Sequence, residues 1–188
     1  MYKLKVISST VRIGRKGPLM AKWIAAEAEK TGQFEVELLD LGEINLPMMN
    51  EPEHPSLQKY RFDYTKNWSA KIAEADAFIF VTAEYNHAYP APLKNAIDYL
   101  VKEWGNKPAG ILSYGGVSAG TRAANGLKII LSGLRVVVLP EAVNLPMFTQ
   151  FISEDKGFVP NEVAEKAAAA MLRELNKWSG VLQPLRTK

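Results

Sequence analysis

The chain contains no cysteine. Disulfides, thiolate nucleophiles, dithiol exchange, iron–sulfur clusters and cysteine-based zinc sites are excluded together, so any redox chemistry has to come from a bound molecule. Histidine is scarce: His54 and His87 are far apart without a metal-type spacing, and no metal site is predicted. Long apolar runs are missing as well. The longest, around Ala77 to Val81, is far below the roughly 20 residues that cross a bilayer, and Met1-Tyr2-Lys3 leads straight into a strand-like run. The expectation is a cytoplasmic protein with no membrane partner. Neither the Walker A pattern nor Gly-x-Gly-x-x-Gly follows the first apolar run, which removes the main support for a P-loop NTPase or an ordinary dinucleotide-binding domain.

What is present is the composition of one folded domain: 188 residues, 47% apolar and 23% charged, with four Trp, seven Tyr and seven Phe. Disorder, collagen and coiled coil do not have this composition. The balance of 23 basic against 20 acidic residues gives a net charge of +3, and no basic stripe interleaved with aromatics supports a nucleic-acid partner. Position matters more than the total. In Arg12-Ile13-Gly14-Arg15-Lys16-Gly17 three cations and two glycines crowd into one short loop, the composition of an anion site or, more plainly, of a solvated basic loop.

Apolar periodicity alternates between strand and helix. Leu4, Val6 and Ile7 read as a strand; Pro18 opens a helix with Met20, Trp23, Ile24 and Ala28 on one stripe, closed by Gly32. Phe34 to Leu39 is a second strand, Trp68 to Ala75 a short helix, and Phe78 to Val81 a strand apolar on both faces. Leu93, Ala96, Ile97, Leu100, Val101 and Trp104 predict one continuous helix. Ala109 to Tyr114 follows as a strand, Ala123 to Leu134 as a helix and Val136 to Leu139 as the fifth strand. The last helix begins near Pro160, with Ala164, Ala168, Met171, Leu172, Leu175 and Trp178 on its stripe. Alternation of this kind requires right-handed crossovers and a parallel sheet covered on both faces: a doubly wound α/β fold. The prediction is a single domain over 1–182 with a loose tail at 183–188. Two connections, 41–66 and 140–159, are long and carry the same tetrapeptide, Asn45-Leu46-Pro47-Met48 and Asn144-Leu145-Pro146-Met147, too short to define a repeat.

Ligands of open α/β sheets bind beyond the carboxyl ends of the strands. The loops concerned are Ser9 to Gly17, Ala83 to Tyr89 and Tyr114 to Gly120. Ser9-Thr10-Val11-Arg12 offers hydroxyls, backbone N–H groups and charged donors, the ingredients of a phosphate-monoester site. Taken singly, Asn86 reads equally as a turn residue, Tyr85 as core and Gly115-Gly116 as an ordinary turn before a helix capped by Ser118. Their placement on loops at one end of one sheet favours a binding site. Lys94 and Asp98, one helical turn apart, read as a surface pair or interface contact.

The segment Ala83-Glu84-Tyr85-Asn86-His87-Ala88-Tyr89-Pro90-Ala91-Pro92-Leu93-Lys94-Asn95-Ala96-Ile97-Asp98 resembles the NADPH-dependent FMN reductase family, the flavodoxin-like quinone, azo and chromate reductases. The family pattern is Pro-Glu-Tyr-Asn, three residues, Pro, two residues, Leu-Lys-Asn-Ala-Ile-Asp; Ala83 replaces the first Pro. In the first loop the family has Gly-Ser-x-Arg-x-x-Ser, where this chain has Ser9, Thr10, Arg12 and Arg15. The resemblance implies a flavodoxin-like three-layer sandwich with a five-stranded parallel sheet in order 2-1-3-4-5. It implies bound FMN, with the phosphate on Thr10, Arg12, Arg15, Lys16, Gly17 and Pro18, and the isoalloxazine between Glu84-Tyr85-Asn86 and Tyr114-Gly115-Gly116. No catalytic side chain is implied, because the flavin carries the chemistry.

The function implied is transfer of a hydride from NADPH or NADH to FMN, then of electrons to a small-molecule acceptor, a quinone, azo compound, metal oxyanion or free flavin, by a ping-pong mechanism. The alternative is a flavodoxin-type electron carrier or redox-sensing flavoprotein, although such carriers are usually acidic with a Thr/Ser-rich phosphate loop. A homodimer or homotetramer is expected, because family members pair flavin sites across subunits and because Leu46, Pro47, Met48 and Met49, and Pro146, Met147, Phe148 and Phe151, would leave apolar loops uncovered.

Overall fold

A computed structural model describes residues 1–186. Strands β1 (Tyr2–Ser8), β2 (Phe34–Asp40), β3 (Ala77–Ala83), β4 (Pro108–Tyr114) and β5 (Val137–Leu145) form one sheet in the order β2-β1-β3-β4-β5, parallel at every pairing. This is the architecture that the alternating periodicity and the resemblance predict. β3 and β4 are buried over their whole length, as central strands covered on both faces must be.

The helices are α1 (Gly17–Lys30), the short α2 (Leu41–Ile44), α3 (Asp63–Ala73), α4 (Ala91–Asp98), α5 (Thr121–Gly133) and α6 (Glu162–Leu182). One core lies between the sheet and α1 and α6, with Met20, Ile24, Ile79, Leu112, Met171 and Leu175 fully enclosed. The other lies under α3, α4 and α5 and centres on Trp68, Trp104, Phe78 and Phe80, whose rings meet at 5.1–6.1 Å. Gly110 on β4 admits α6 at close range, since a methyl there would lie 2.5 Å from Met171 Sδ.

The helix expected to run continuously from Leu93 to Trp104 stops at Asp98 and resumes as a 3₁₀ turn over Lys102–Trp104. The stripe residues are buried as predicted, apart from half-buried Val101. The ladder itself is interrupted. Trp68 Nε1 donates to the Ala96 carbonyl at 2.8 Å and Trp104 Nε1 to that of Ile97 at 3.2 Å, so two indoles take acceptors that further helical turns would use. At the other extreme, α3 begins well before Trp68, on Asp63, where the first turn is polar and gives no apolar signal.

The two long connections are also more ordered than periodicity indicates. β5 runs on through Pro140 to Leu145, and the chain then makes a 3₁₀ turn at Phe148–Phe151 and a small hairpin of β6 (Ile152–Ser153) with β7 (Gly157–Phe158). Pro140 is tolerated because β5 is an edge strand and bulges there. Ala109 pairs with Val138 and Ile111 with Ala142, leaving Leu139, Pro140 and Glu141 opposite the single Gly110. The 41–66 connection is fastened from α4: Asn95 donates to the Pro47 carbonyl at 2.7 Å and accepts from Met49 N–H at 2.8 Å. The two copies of Asn-Leu-Pro-Met have unlike conformations. Asn45 is a left-handed cap at φ 50°, whereas Asn144 and Leu145 lie in β5.

The tail departs from expectation. Residues 183–185 form a 3₁₀ turn, and Arg186 donates to the Asp76 carbonyl at 2.6 Å and pairs with the Asp76 carboxylate at 3.0 Å, so an ion pair docks what the polar composition made look loose. The remainder of that expectation, at 187–188, lies outside the described residues.

Candidate active site

The loop after β1 carries three exposed residues in a row, Val11, Arg12 and Ile13, and returns through Gly14 at φ 73° into α1. Helix α1 starts without a side-chain cap and without an acidic residue in its first turn, so its N-terminal N–H groups face the loop uncompensated. Buried hydroxyls gather at this point. A methyl on Gly17 would come within 2.5 Å of Thr10 Oγ1, 2.8 Å of Tyr114 OH and 3.4 Å of Ser8 Oγ. Ser8 Oγ and Ser9 Oγ are buried and have no partner among the described residues. Unmet buried hydroxyls are uncommon in folded proteins, and here they stand beside an uncapped helix end, the chemistry a phosphate monoester satisfies. The donor set therefore fits the phosphate of FMN.

The predicted cradle residues divide. Thr10, Gly17 and the start of α1 at Pro18 converge, and Lys16 occupies the N-cap with an exposed side chain. Arg12 is exposed and has no ion-pair partner among the described residues. Arg15 turns the other way. Its Nη2 meets Asp40 Oδ2 at 3.0 Å, and it lies flat on Gly42, where a methyl would fall 2.8 Å from its Cζ. Asp40 also accepts from Gly42 N–H at 2.8 Å, so Arg15 ties the β1 loop to the end of β2. Its Nε is buried without a partner. Nothing in local sequence distinguishes Arg12 from Arg15, since the pairing needs β2 brought alongside.

Tyr114, expected beside the ring, sends its side chain toward Thr10 and Gly17. It is 4% exposed, its hydroxyl lies 3.4 Å from Thr10 Oγ1, and burial pushes its pKa up to about 12 against the opposing contact with Thr10. It remains a protonated donor at neutral pH. Phe148 packs edge-on against its ring at 5.1 Å.

Beyond the end of β3, Tyr85 and Ala88 exchange backbone hydrogen bonds of 2.8 and 3.0 Å around Asn86 and His87, both left-handed at φ 49° and 68°. This is a two-residue turn of type I′, for which Asn is a favoured first residue. Opposite it, Gly116 has open space where a side chain would project, and Gly115 backs onto Gly120, whose N would be 3.0 Å from a Gly115 methyl. A cleft of about 460 Å³ lies between, lined by Glu84, Asn86, His87, Gly116, Val117, Ser118 and Arg122. Ser118, expected to cap α5, does not do so. Gly120 holds the N-cap position, and the Ser118 hydroxyl donates to Glu84 Oε2 at 3.1 Å. Arg122, which sequence reasoning missed, donates to Glu84 Oε1 at 2.5 Å.

A larger cavity, about 1050 Å³, opens at the amino ends of the strands between Glu103, Lys107, Arg135 and Arg186. Two of its basic side chains are committed to the fold: Lys107 donates to the Ile72 and Ala73 carbonyls at 2.6 and 2.9 Å, and Arg186 holds Asp76. Ligand chemistry in this architecture belongs to the other end of the sheet.

The strand order and a phosphate-type cradle at the β1/β3 switch point define a flavodoxin-like α/β protein. The same fold is seen in the flavoenzyme NAD(P)H:(acceptor) oxidoreductase of Paracoccus denitrificans, with a TM-score of 0.76 and 24% identity over 96% of this chain and 98% of that one. The chain belongs to the NADPH-dependent FMN reductase family, whose model matches residues 2–150. It is 41% identical over 148 residues to an NAD(P)H-dependent FMN reductase of Schizosaccharomyces pombe, covering 77% of this chain and 74% of that protein. It is 32% identical over 186 residues to an NADPH azoreductase of Bacillus sp., covering 95% and 99%. The protein is thus a flavin-dependent oxidoreductase that uses FMN and NAD(P)H.

Proposed function

We propose that the chain holds FMN with its phosphate against Thr10, Arg12, Lys16, Gly17 and Tyr114, and passes electrons from NAD(P)H to a second small acceptor at the same place. The observation that carries this reading is the gathering of the Thr10, Tyr114 and Ser8 hydroxyls around Gly17 at the uncapped start of α1, with Ser8 Oγ unpartnered among the described residues. Bound there, FMN supplies hydride acceptance and onward electron transfer. The protein's part is binding and orientation. Tyr114 and Thr10 donate to the phosphate as neutral hydroxyls, Arg12 adds charge from the solvent side, and the turn at Asn86-His87 faces the bare backbone of Gly116 across a cleft open enough for a flat ring. Arg15 serves the same loop indirectly by bracing it on Asp40.

One cleft implies one face for donor and acceptor in turn, which is ping-pong by geometry. Acceptors in reach of this chemistry are quinones, azo compounds, metal oxyanions and free flavin; the names of an azoreductase and of an Arabidopsis thaliana NADPH:quinone oxidoreductase among the relatives support the first two. The working unit is a homodimer or homotetramer. Its support is apolar exposure at the carboxyl end of the sheet, where Ile13 is 98%, Val117 89%, Met48 76% and Met147 54% exposed, although Phe151 and half of Leu46 turn inward.

The test is the visible spectrum of the purified protein, followed by anaerobic NADPH and then initial rates with a quinone. Bleaching at catalytic speed and parallel double-reciprocal lines are expected. Intersecting lines with a trapped ternary complex would overturn the single-face reading, and a yellow protein that NADPH does not bleach would mark an electron carrier.

A further inference from the structure

We propose that Arg122 is a positioning residue: by clamping Glu84 and Ser118 it sets the spacing of the two loops between which the flavin ring lies. This rests on the ring being bound in the cleft, as proposed above.

Strands β3 and β4 stay paired as far as Ala83 and Tyr114. Beyond them the loops separate, and among the described residues no backbone hydrogen bond joins 84–90 to 115–120. The connection is made by side chains. Glu84 leaves β3 with its carboxylate only 7% exposed, and it accepts from Arg122 Nε at 2.5 Å and from Ser118 Oγ at 3.1 Å. Arg122 Nη2 closes the triangle on Ser118 Oγ at 2.8 Å. The carboxylate reaches the first turn of α5 through the Arg122 side chain, at a helix whose own N-cap is a glycine with no side chain to offer. The negative charge of Glu84 thereby sits at that helix's positive end. Burial alone would raise its pKa, yet Arg122 and Ser118 hold it below the ordinary carboxylate range. The clamp is closed at neutral pH.

Its position gives it consequence. The Asn86-His87 turn starts two residues after Glu84, and the exposed backbone of Gly116 and Val117 precedes Ser118. Both walls of the cleft are therefore tied by one charged triad that itself lines it. A ring slot needs a fixed width to stack against, and a few tenths of an ångström of slack forfeits part of every contact.

The experiment compares FMN and riboflavin binding by flavin fluorescence for the wild type, Arg122→Ala, Arg122→Lys and Ser118→Ala, with melting curves and the spectrum of the bound flavin. Arg122→Ala should weaken FMN and riboflavin alike, by about tenfold, and shift the visible band of the bound ring. Arg122→Lys should recover part of the loss, and Ser118→Ala, which leaves the ion pair, should show a smaller change of the same kind. Glu84→Gln combined with Arg122→Ala should be no worse than either alone. Unchanged riboflavin affinity and band shape in Arg122→Ala would overturn the proposal, as would a loss confined to FMN, which would make Arg122 a phosphate ligand. A fall in melting temperature with binding and spectrum intact would reduce the triad to a contact that stabilises the fold. Failure of the wild type to bind either flavin would instead refute the site itself.

Discussion

The Tyr114 hydroxyl stands 3.4 Å from Thr10 Oγ1, joining the ends of β4 and β1 over the end of the β3 strand between them. The contact is long for a hydrogen bond between hydroxyls, and both groups also face Gly17. Each keeps donor capacity that the protein itself does not use, and the high pKa of Tyr114 keeps its proton in place.

Arg12 and Arg15 should behave differently despite their shared loop. Arg12→Ala removes a charge-assisted contact worth about 1.5–3 kcal/mol, so FMN affinity should fall roughly 10- to 150-fold while riboflavin affinity stays level. Arg15→Ala leaves the buried Asp40 without its cation, and should lower stability by about 1–3 kcal/mol and weaken both flavins modestly through the loosened loop. Calorimetric titration with both ligands, together with urea melts, separates the two. An FMN-specific loss in Arg15→Ala would return that residue to the phosphate.

Gly17→Ala places a methyl in the space where Thr10, Tyr114 and Ser8 converge. Helix propensity favours Ala by about 1 kcal/mol, which offsets part of the crowding. The variant should fold, melt within a few degrees of the wild type and fail to retain FMN. Circular dichroism and flavin fluorescence check this, and FMN retention at wild-type affinity would place the phosphate elsewhere.

Lys107 gives a pH dependence with a definite sign. Burial lowers its pKa to about 7 from 10.5, with Arg186 adding to the fall and Asp76 and Glu103 opposing it. Between those values the unfolded chain holds a proton that the folded chain has released, so stability rises with pH above neutrality. Urea midpoints at pH 6, 7.5 and 9 should climb through this group, and Lys107→Met should flatten the climb. An equal slope in both proteins would mean that Lys107 stays charged on the carbonyls of Ile72 and Ala73.

The homo-oligomer is tested by light scattering at micromolar concentration. A dimer or tetramer is expected, and Met48→Glu with Met147→Glu should shift it toward monomer. A wild-type monomer with flavin bound and activity intact would remove the assembly from the proposal.

The doubly wound α/β class and both cores were legible because β3 and β4 are apolar on both faces and the helical stripes fall where the core is, whereas the sheet order came from the family resemblance. Elements shaped by distant partners were not. The break after Asp98 depends on two indoles, one from α3, and the 41–66 connection is held by Asn95 of a later helix. At the site, residue types and loops could be read, but directions could not. Arg15 faces Asp40, Tyr114 faces Thr10 and Gly17, and Arg122 had no signal beyond a cation in the first turn of a helix. These outcomes are set by side-chain geometry across the sheet, to which one-dimensional periodicity is blind.

The three residues that stand opposite Gly110 on β5 bear on how copies of this chain can associate. A free strand edge is a template on which another sheet can grow, and here the template is broken at its middle by a swelling that contains a residue with no N–H to give. Two copies cannot zip along this border into one continuous sheet. Any contact between copies on this side of the sheet would have to use helix faces and loop ends rather than the strand edge.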